Sequence, residues 1–428
     1  MLLQFNFRNF KSFRDDVTLD MSATKITEHS NHIINYRFDK LLPVAAIYGA
    51  NASGKSNVYQ AFDYMTNYIM DSFKFGGDSD TKKPSEFEQM KPTPFLFDIA
   101  SKDQDSMFEV YFCDPDDSSC KIYHYGFCLN GQGITEEWLN SKSKSARQYR
   151  RIFYRSEMDK ELDLDGLSPK MRENIEIALE KEVLIVSLGA KLKIAKLKMI
   201  RDWFGRNMFT DFGNPFQDLF LSRMLPSNFV DNESVQSKVL EYFSSFDDSI
   251  KGFNIEKIKV SNEKDEESYR IDTWHKVIGT DETAAISLSS ESAGTLKMFA
   301  LFPHLQAVLE RGSILFVDEL NARLHPLLVR SLIQTFVNPE LNPNHAQLIF
   351  TTHDTWQLSN DLLRRDEIWF SEKDSAGVST LYSLADFVDQ DGAKIRKDES
   401  YEKNYLLGKY GAIPSLKSFK ILREGRHG

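Results

Sequence analysis

Residues 47–57 read Ile-Tyr-Gly-Ala-Asn-Ala-Ser-Gly-Lys-Ser-Asn. Gly49, Gly54, Lys55 and Ser56 fill the fixed positions of the pattern G-x-x-x-x-G-K-[ST]. Leu41 to Tyr48, ahead of the loop, is an apolar strand-like run, and Asn57 to Met70, behind it, is patterned as a helix. In that setting the loop N–H groups and the helix N-terminus cradle phosphate oxygens, Lys55 reaches the β and γ phosphates, and the Ser56 hydroxyl ligates Mg²⁺. Gly49, Asn51, Ser53, Gly54, Lys55, Ser56 and Asn57 are therefore candidate cofactor-binding residues.

Holding a phosphate does not imply hydrolysis, which needs a second, carboxylate-bearing site. Ile314-Leu-Phe-Val317 is a buried-type strand that ends in Asp318 and Glu319, the placement used at the carboxyl edge of a parallel sheet. There Asp318 would hold Mg²⁺ through water, and Glu319 would polarise an attacking water. Gln347 to Phe350 is another short apolar strand, bringing Thr351, Thr352 and His353 to the same edge, with His353 placed to contact the γ-phosphate and the water. Between loop and acids, the small residues of Leu288-Ser-Ser-Glu291-Ser292-Ala-Gly294-Thr295 precede a helix-patterned run, Leu296 to Leu309, and leave an open helix N-terminus for a second anion. Glu319, His353 and Lys55 are the candidate catalytic residues, and Ser56 and Asp318 the candidate metal ligands.

Composition sets the class. The 428 residues are 41% apolar and 27% charged, as in ordinary globular proteins, and allow a nucleotide-binding domain plus a second lobe. No stretch approaches the ~20 apolar residues of a membrane span, and Arg8 and Lys11 come too early for a secretory leader, so a cytoplasmic protein is expected. Three cysteines, Cys113, Cys120 and Cys128, make no disulfide framework; with His124 their spacing matches no tight pair of zinc ligands, and strand alternation accounts for them. A net charge of −10 gives no global attraction to nucleic acid.

Met107 to Phe112, Lys121 to Leu129 and Ile134 to Trp138 alternate like strands. From Ser168-Pro169 to about Phe246 the chain is patterned as helix without sustained heptads, a compact lobe and not a long coiled coil. Within it Lys191, Lys193, Lys196, Lys198, Arg201 and Arg206 form the best basic stripe, either a contact for DNA or RNA phosphates or for an acidic partner, or the solvated face of an amphipathic helix. Toward the end, Glu372 and Asp389-x-Asp391 are too closely spaced for a metal-dependent nuclease core, and Tyr401 to Pro414 carries the stretch Tyr410-Gly-Ala-Ile-Pro414.

Phosphate loop, Ser-x-Gly signature, Asp-Glu strand and switch histidine, in this order, resemble an ABC-type ATPase head of the SMC, RecF and OLD kind. The opening Phe5-x-Phe7-Arg8-Asn9-Phe10-Lys11-Ser12-Phe13 resembles the first strand and nucleotide-edge turn of such heads, and Leu324-His325-Pro326 their segment after the acids. The resemblance implies an α/β fold: a P-loop head with a mixed sheet, flanking helices and an antiparallel β subdomain, and an inserted compact helical lobe. It implies ATP and Mg²⁺ as cofactors, Lys11 and Ser12 at the nucleotide edge, and Ser292 and Gly294 reaching in trans onto ATP held by another copy. The signature reads Ser-Ala-Gly-Thr, Asn321-Ala-Arg323 follows the acids where small residues or Asp are usual, and Gln89 is the candidate for the glutamine loop. The expected division is 1–155, the first half of the head; 156–250, the helical lobe; and 251–428, the second half.

The ending resembles stand-alone ATPases of bacterial phage-defence and abortive-infection operons, similar to those of Septu or PARIS type. This implies an ATPase subunit, homo-oligomeric through ATP-clamped heads, that restrains or activates a separately encoded nuclease or toxin. The alternative is a RecF-like repair ATPase that loads onto DNA; an intrinsic nuclease and a membrane transporter are both disfavoured.

Overall fold

The computed structural model describes residues 1–36, 39–76, 86–119, 121–143, 145–214, 229–244, 249–258, 268–388, 392 and 394–414. Cys120, Asp389 and Asp391 lie outside them.

Two sheets organise the molecule. The central one has six strands in the order Met208–Asp211, Ile314–Asp318, Gln347–Thr351, Val44–Tyr48, Ile368–Lys373 and Ser379–Ser383. All neighbours pair in parallel except the last two, which form an antiparallel edge. Val44–Tyr48, Ile314–Asp318 and Gln347–Thr351 are buried along their whole length, as parallel strands covered on both faces must be. The second sheet is antiparallel, with seven strands between Glu161–Asp163 at one edge and Val17–Asp20 at the other.

The helix that follows the loop, Lys55–Asp71, fills the space between these sheets. Val58, Phe62, Met65 and Ile69 recur at three- and four-residue spacing and are fully buried. Phe62 stacks on Phe5 of the antiparallel sheet at 4.7 Å and meets Phe209 of the central sheet edge-on at 5.7 Å. Burying one such ring is worth about 1.5–3 kcal/mol. The opposite face of the central sheet, with Ala46, Leu315, Val317, Leu348 and Phe350, packs on the helices Ala293–Arg311 and Pro326–Val337. All the strand ends that carry polar groups thus emerge between two covered faces, at one edge.

In the segment 156–250, the helices Ile185–Lys191 and Ala195–Gly205 share a core with the antiparallel sheet and the loop helix. Trp203 stacks on Phe112 at 4.1 Å, and the buried Glu137 carboxylate accepts the N–H groups of Ile185 and Val186. Met208–Asp211 then adds the outermost parallel strand to the central sheet. Helix Glu233–Ser244 packs instead against Phe299 and Phe302 and the three-stranded sheet Ile250–Ile258, Ser268–Lys276 and Thr283–Ser287. Among the described residues no helix is long and apolar enough to cross a membrane.

Candidate functional site

The loop between Val44–Tyr48 and its helix is held from behind by the antiparallel edge hairpin. The hydroxyls of Ser371 and Ser379 both donate to the Ser53 carbonyl, at 3.1 and 2.6 Å. This close seat explains the two glycines. A Cβ on Gly49 would fall 2.3 Å from the Ser371 carbonyl oxygen; at Gly54, with φ of 114°, it would fall 2.6 Å from the Ser379 hydroxyl. The loop is thereby fixed by its supports before any ligand arrives.

Lys55 lies buried along the inside of the loop and donates to the carbonyls of Gly49 at 2.9 Å and Ala50 at 3.1 Å. Burial lowers its pKa, with Glu319 and Asp318 opposing the shift. The Ser53 hydroxyl, by contrast, is buried and has no hydrogen-bond partner among the described residues. A buried donor left unmade costs about 1–3 kcal/mol, which suits a position that an anion completes.

Asp318 ends its strand under the loop. It accepts from the hydroxyls of Thr351 and Ser56; burial raises its pKa, and these two bonds counter the rise. Ser56 and Asp318 are therefore juxtaposed oxygen donors, the set a hard divalent cation takes. Glu319 follows with φ of 54°, its N–H on the Thr351 hydroxyl at 2.9 Å, and this turn sends its carboxylate back toward the loop. His353 Nδ1 bonds Glu319 Oε2 at 2.9 Å, while Asn321 Nδ2 meets His353 Nε2 at 3.1 Å and Asn321 Oδ1 accepts from Thr352 at 2.8 Å. With Asn321 donating, Nε2 accepts and Nδ1 carries the proton given to Glu319. Asn321, a departure from the expected pattern at the level of sequence, sets the histidine tautomer. Asn321→Ala should lower the turnover number about tenfold with little change in KM, as steady-state hydrolysis would show.

The loop residues 51–57 with Glu319, His353 and Lys373 line a cleft of about 470 Å³. Lys373, a cation at the end of a strand parallel to Val44–Tyr48, was missed in the sequence. So was Asp211, which is in register with Asp318 across the parallel pair. Burial raises the Asp211 pKa; Gly213 and Asn214 counter this through backbone bonds, and Glu319 adds to it.

Other candidates lie elsewhere. Lys11 donates to Gln60 at 2.5 Å and burial lowers its pKa, so it is turned along the loop helix and does not line the cleft. Ser12 supports the loop from outside through Asn57 at 2.7 Å and Ser379 at 2.8 Å. Gln89 is exposed at the end of the short helix Glu86–Gln89, away from the cleft-lining residues. Ser292 is exposed and caps its own helix through the Thr295 N–H at 3.1 Å, and Gly294 lies against the Arg323 carbonyl; neither lines the cleft. Glu291 anchors this signature turn to His275 at 2.8 Å. In the basic stripe, Lys191 and Arg201 lie over the Phe73 ring, Lys198 pairs with Asp202, and Arg206 pairs with Asp114 and Asp116. Cys113 and Cys128 are buried, His124 is bonded to Glu109 at 2.6 Å, and Glu372 accepts from Tyr382 at 3.2 Å.

Residues 44–355, well over half of the chain, match the family described as "AAA domain, putative AbiEii toxin, Type IV TA system". No curated protein matches the chain. Among solved structures, the SMC head domain from Thermotoga maritima is similar at 15% identity and a TM-score of 0.39, over 89% of this chain and 98% of that one. An SMC head bound to the C-winged helix domain of ScpA is similar at 16% identity and a TM-score of 0.36, over 89% and 97%.

Proposed function

The chain belongs to the AbiEii-type AAA domain family, and from that premise we propose that it is an ATP-binding and ATP-hydrolysing subunit of a bacterial anti-phage defence complex. In this reading ATP clamps copies of the chain together, and the clamped state restrains or activates a separate nuclease or toxin. The observation that carries the reading is the convergence of Lys55, Ser56, Glu319 and His353, from three separated stretches of sequence, on one cleft, with the buried Asp318 bonded to Ser56 beneath it. The family description, which speaks of a toxin and a toxin–antitoxin system, supports a role alongside a second protein. The division at 1–155, 156–250 and 251–428 belongs to the same proposal.

Lys55 gives up the carbonyls of Gly49 and Ala50 for the β and γ phosphates, and the open Ser53 hydroxyl and the loop N–H groups complete the cradle. Mg²⁺ held by Ser56 and Asp318 would neutralise phosphate charge and orient the terminal group. The Glu319 carboxylate, steadied by the His353 Nδ1 proton, orients a water and takes its proton. Ser292, exposed, and Gly294, half-buried, lie outside the cleft of their own chain and are offered to the cleft of another copy.

Direct nucleic-acid binding, as in a repair ATPase, would need the stripe 191–206 unencumbered, whereas Lys198, Arg201 and Arg206 have partners within the chain. ATP hydrolysis measured over a hundredfold dilution tests the clamp. The rate per molecule should fall as the chain is diluted, and a rate indifferent to dilution would remove the shared site from the proposal.

A further inference from the structure

Past the central sheet the chain forms the short helix Tyr401–Leu406 and returns through Gly408, Tyr410 and Gly411 to the phosphate loop. The Ala412 carbonyl there accepts the Ala50 N–H at 3.0 Å and the Tyr405 hydroxyl at 3.0 Å. The Gly49 carbonyl, the oxygen of that same peptide unit, is one of the two held by Lys55, at 2.9 Å. A single loop peptide is thus gripped on its N–H side by the C-terminal segment and on its oxygen side by the lysine that must leave for a phosphate.

The segment is itself fixed to the sheet behind the loop. Tyr405 stacks on Phe370 at 5.4 Å, and Phe370 is in register with Tyr48, the residue before the loop. The Tyr382 hydroxyl donates to the Tyr410 carbonyl at 2.7 Å, and Asn404 donates to the Tyr410 hydroxyl at 3.0 Å. Tyr401, Tyr405, Tyr410 and Ala412 are all buried. Glu402, on the same helix, accepts from the Thr355 hydroxyl at 3.0 Å, two residues beyond the switch His353.

We propose that Tyr401–Ala412 is a brace that positions the two halves of the site, Tyr405 through the loop peptide at Ala50 and Glu402 through the turn that carries His353. The inference rests on the reading that the loop holds a nucleotide. Tyr405 and Glu402 touch no reacting atom and are positioning residues with separable effects. The loop contact governs how well the cradle is formed, and hence affinity; the switch contact governs how His353 and Glu319 are presented, and hence turnover.

The test uses the full chain, equilibrium titration with a fluorescent ADP, and steady-state hydrolysis. Tyr405→Phe keeps the ring on Phe370 and removes only the hydroxyl, so ADP affinity should fall about three- to tenfold with the turnover number unchanged. Glu402→Ala should lower the turnover number about three- to tenfold with ADP affinity unchanged. In Tyr405→Phe without nucleotide, the Ala50 amide should exchange faster while the central strands keep their protection, a local change that general destabilisation does not give. Tyr382→Phe, which frees the Tyr410 carbonyl, should reproduce the loss of affinity and decides the matter should Tyr405→Phe not fold. Lys55→Ala separates the two levels. If it binds ADP as the parent does, the nucleotide reading fails; if it loses binding while Tyr405→Phe and Tyr382→Phe keep the parent affinity, the brace alone is overturned.

Discussion

Glu319→Gln should bind ATP about as tightly as the parent, hydrolyse it on the order of 10²-fold or more slowly, and accumulate the closed oligomer. The substitution is nearly isosteric. The Gln side-chain oxygen can still accept the His353 Nδ1 proton, now at 2.9 Å from the carboxylate, and the main-chain bond from residue 319 to the Thr351 hydroxyl is untouched. Lys55, Ser56 and Asp318 keep their geometry, so the cradle is not altered. What disappears is a group able to take a proton from water, along with one negative charge. Single-turnover hydrolysis gives the rate, titration with a fluorescent ATP the affinity, and size-exclusion chromatography with ATP the oligomer. Hydrolysis at the parent rate would take the base away from Glu319 and direct the search to Asp211, the carboxylate aligned beside Asp318.

The parts of the site that sequence announced are those where chemistry and burial coincide. Val44–Tyr48, Ile314–Asp318 and Gln347–Thr351 are covered on both faces, so each is written as an unbroken apolar run whose first polar residues mark the sheet edge. Met208–Asp211 is a half-buried edge strand of only four residues close behind a helix, so periodicity gave no reason to separate it. Ser371 and Ser379 were invisible for another reason. Their role is to donate to the loop backbone across the sheet, and a serine on a strand leaves no periodic trace. Asn321 read as a mismatch because its meaning lies in the His353 ring it faces, thirty-two residues away. The Tyr410-Gly-Ala-Ile-Pro414 ending stood out as a pattern with no assigned task, since the peptide it meets at Ala50 is far along the chain.

Ser292→Arg should leave nucleotide affinity near the parent value, abolish ATP-dependent oligomerisation, and lower hydrolysis on the order of 10²-fold or more. Locally the exchange costs a helix N-cap, about 1 kcal/mol, which Ala293–Arg311 can absorb because Met298, Leu301 and Leu305 anchor it in the core. In the proposed closed pair an arginine projecting from each copy toward the nucleotide of the other would hold the surfaces apart. A second variant turns this into a test of which chain owns the residue. Lys55→Ala spoils the loop but leaves the signature intact, and Ser292→Arg does the reverse. If the site is shared, a mixed pair holds one ruined site, where the arginine faces a loop that Lys55→Ala leaves without nucleotide, and one intact site, made of both sound parts. Mixing two inactive proteins should then restore measurable hydrolysis. If Ser292 served its own chain's nucleotide, every chain in the mixture would carry one defect and no mixture could recover. Equal loss of binding and hydrolysis in Ser292→Arg, without rescue, would return the signature to the cleft of its own chain and leave ATP with no part in joining the copies.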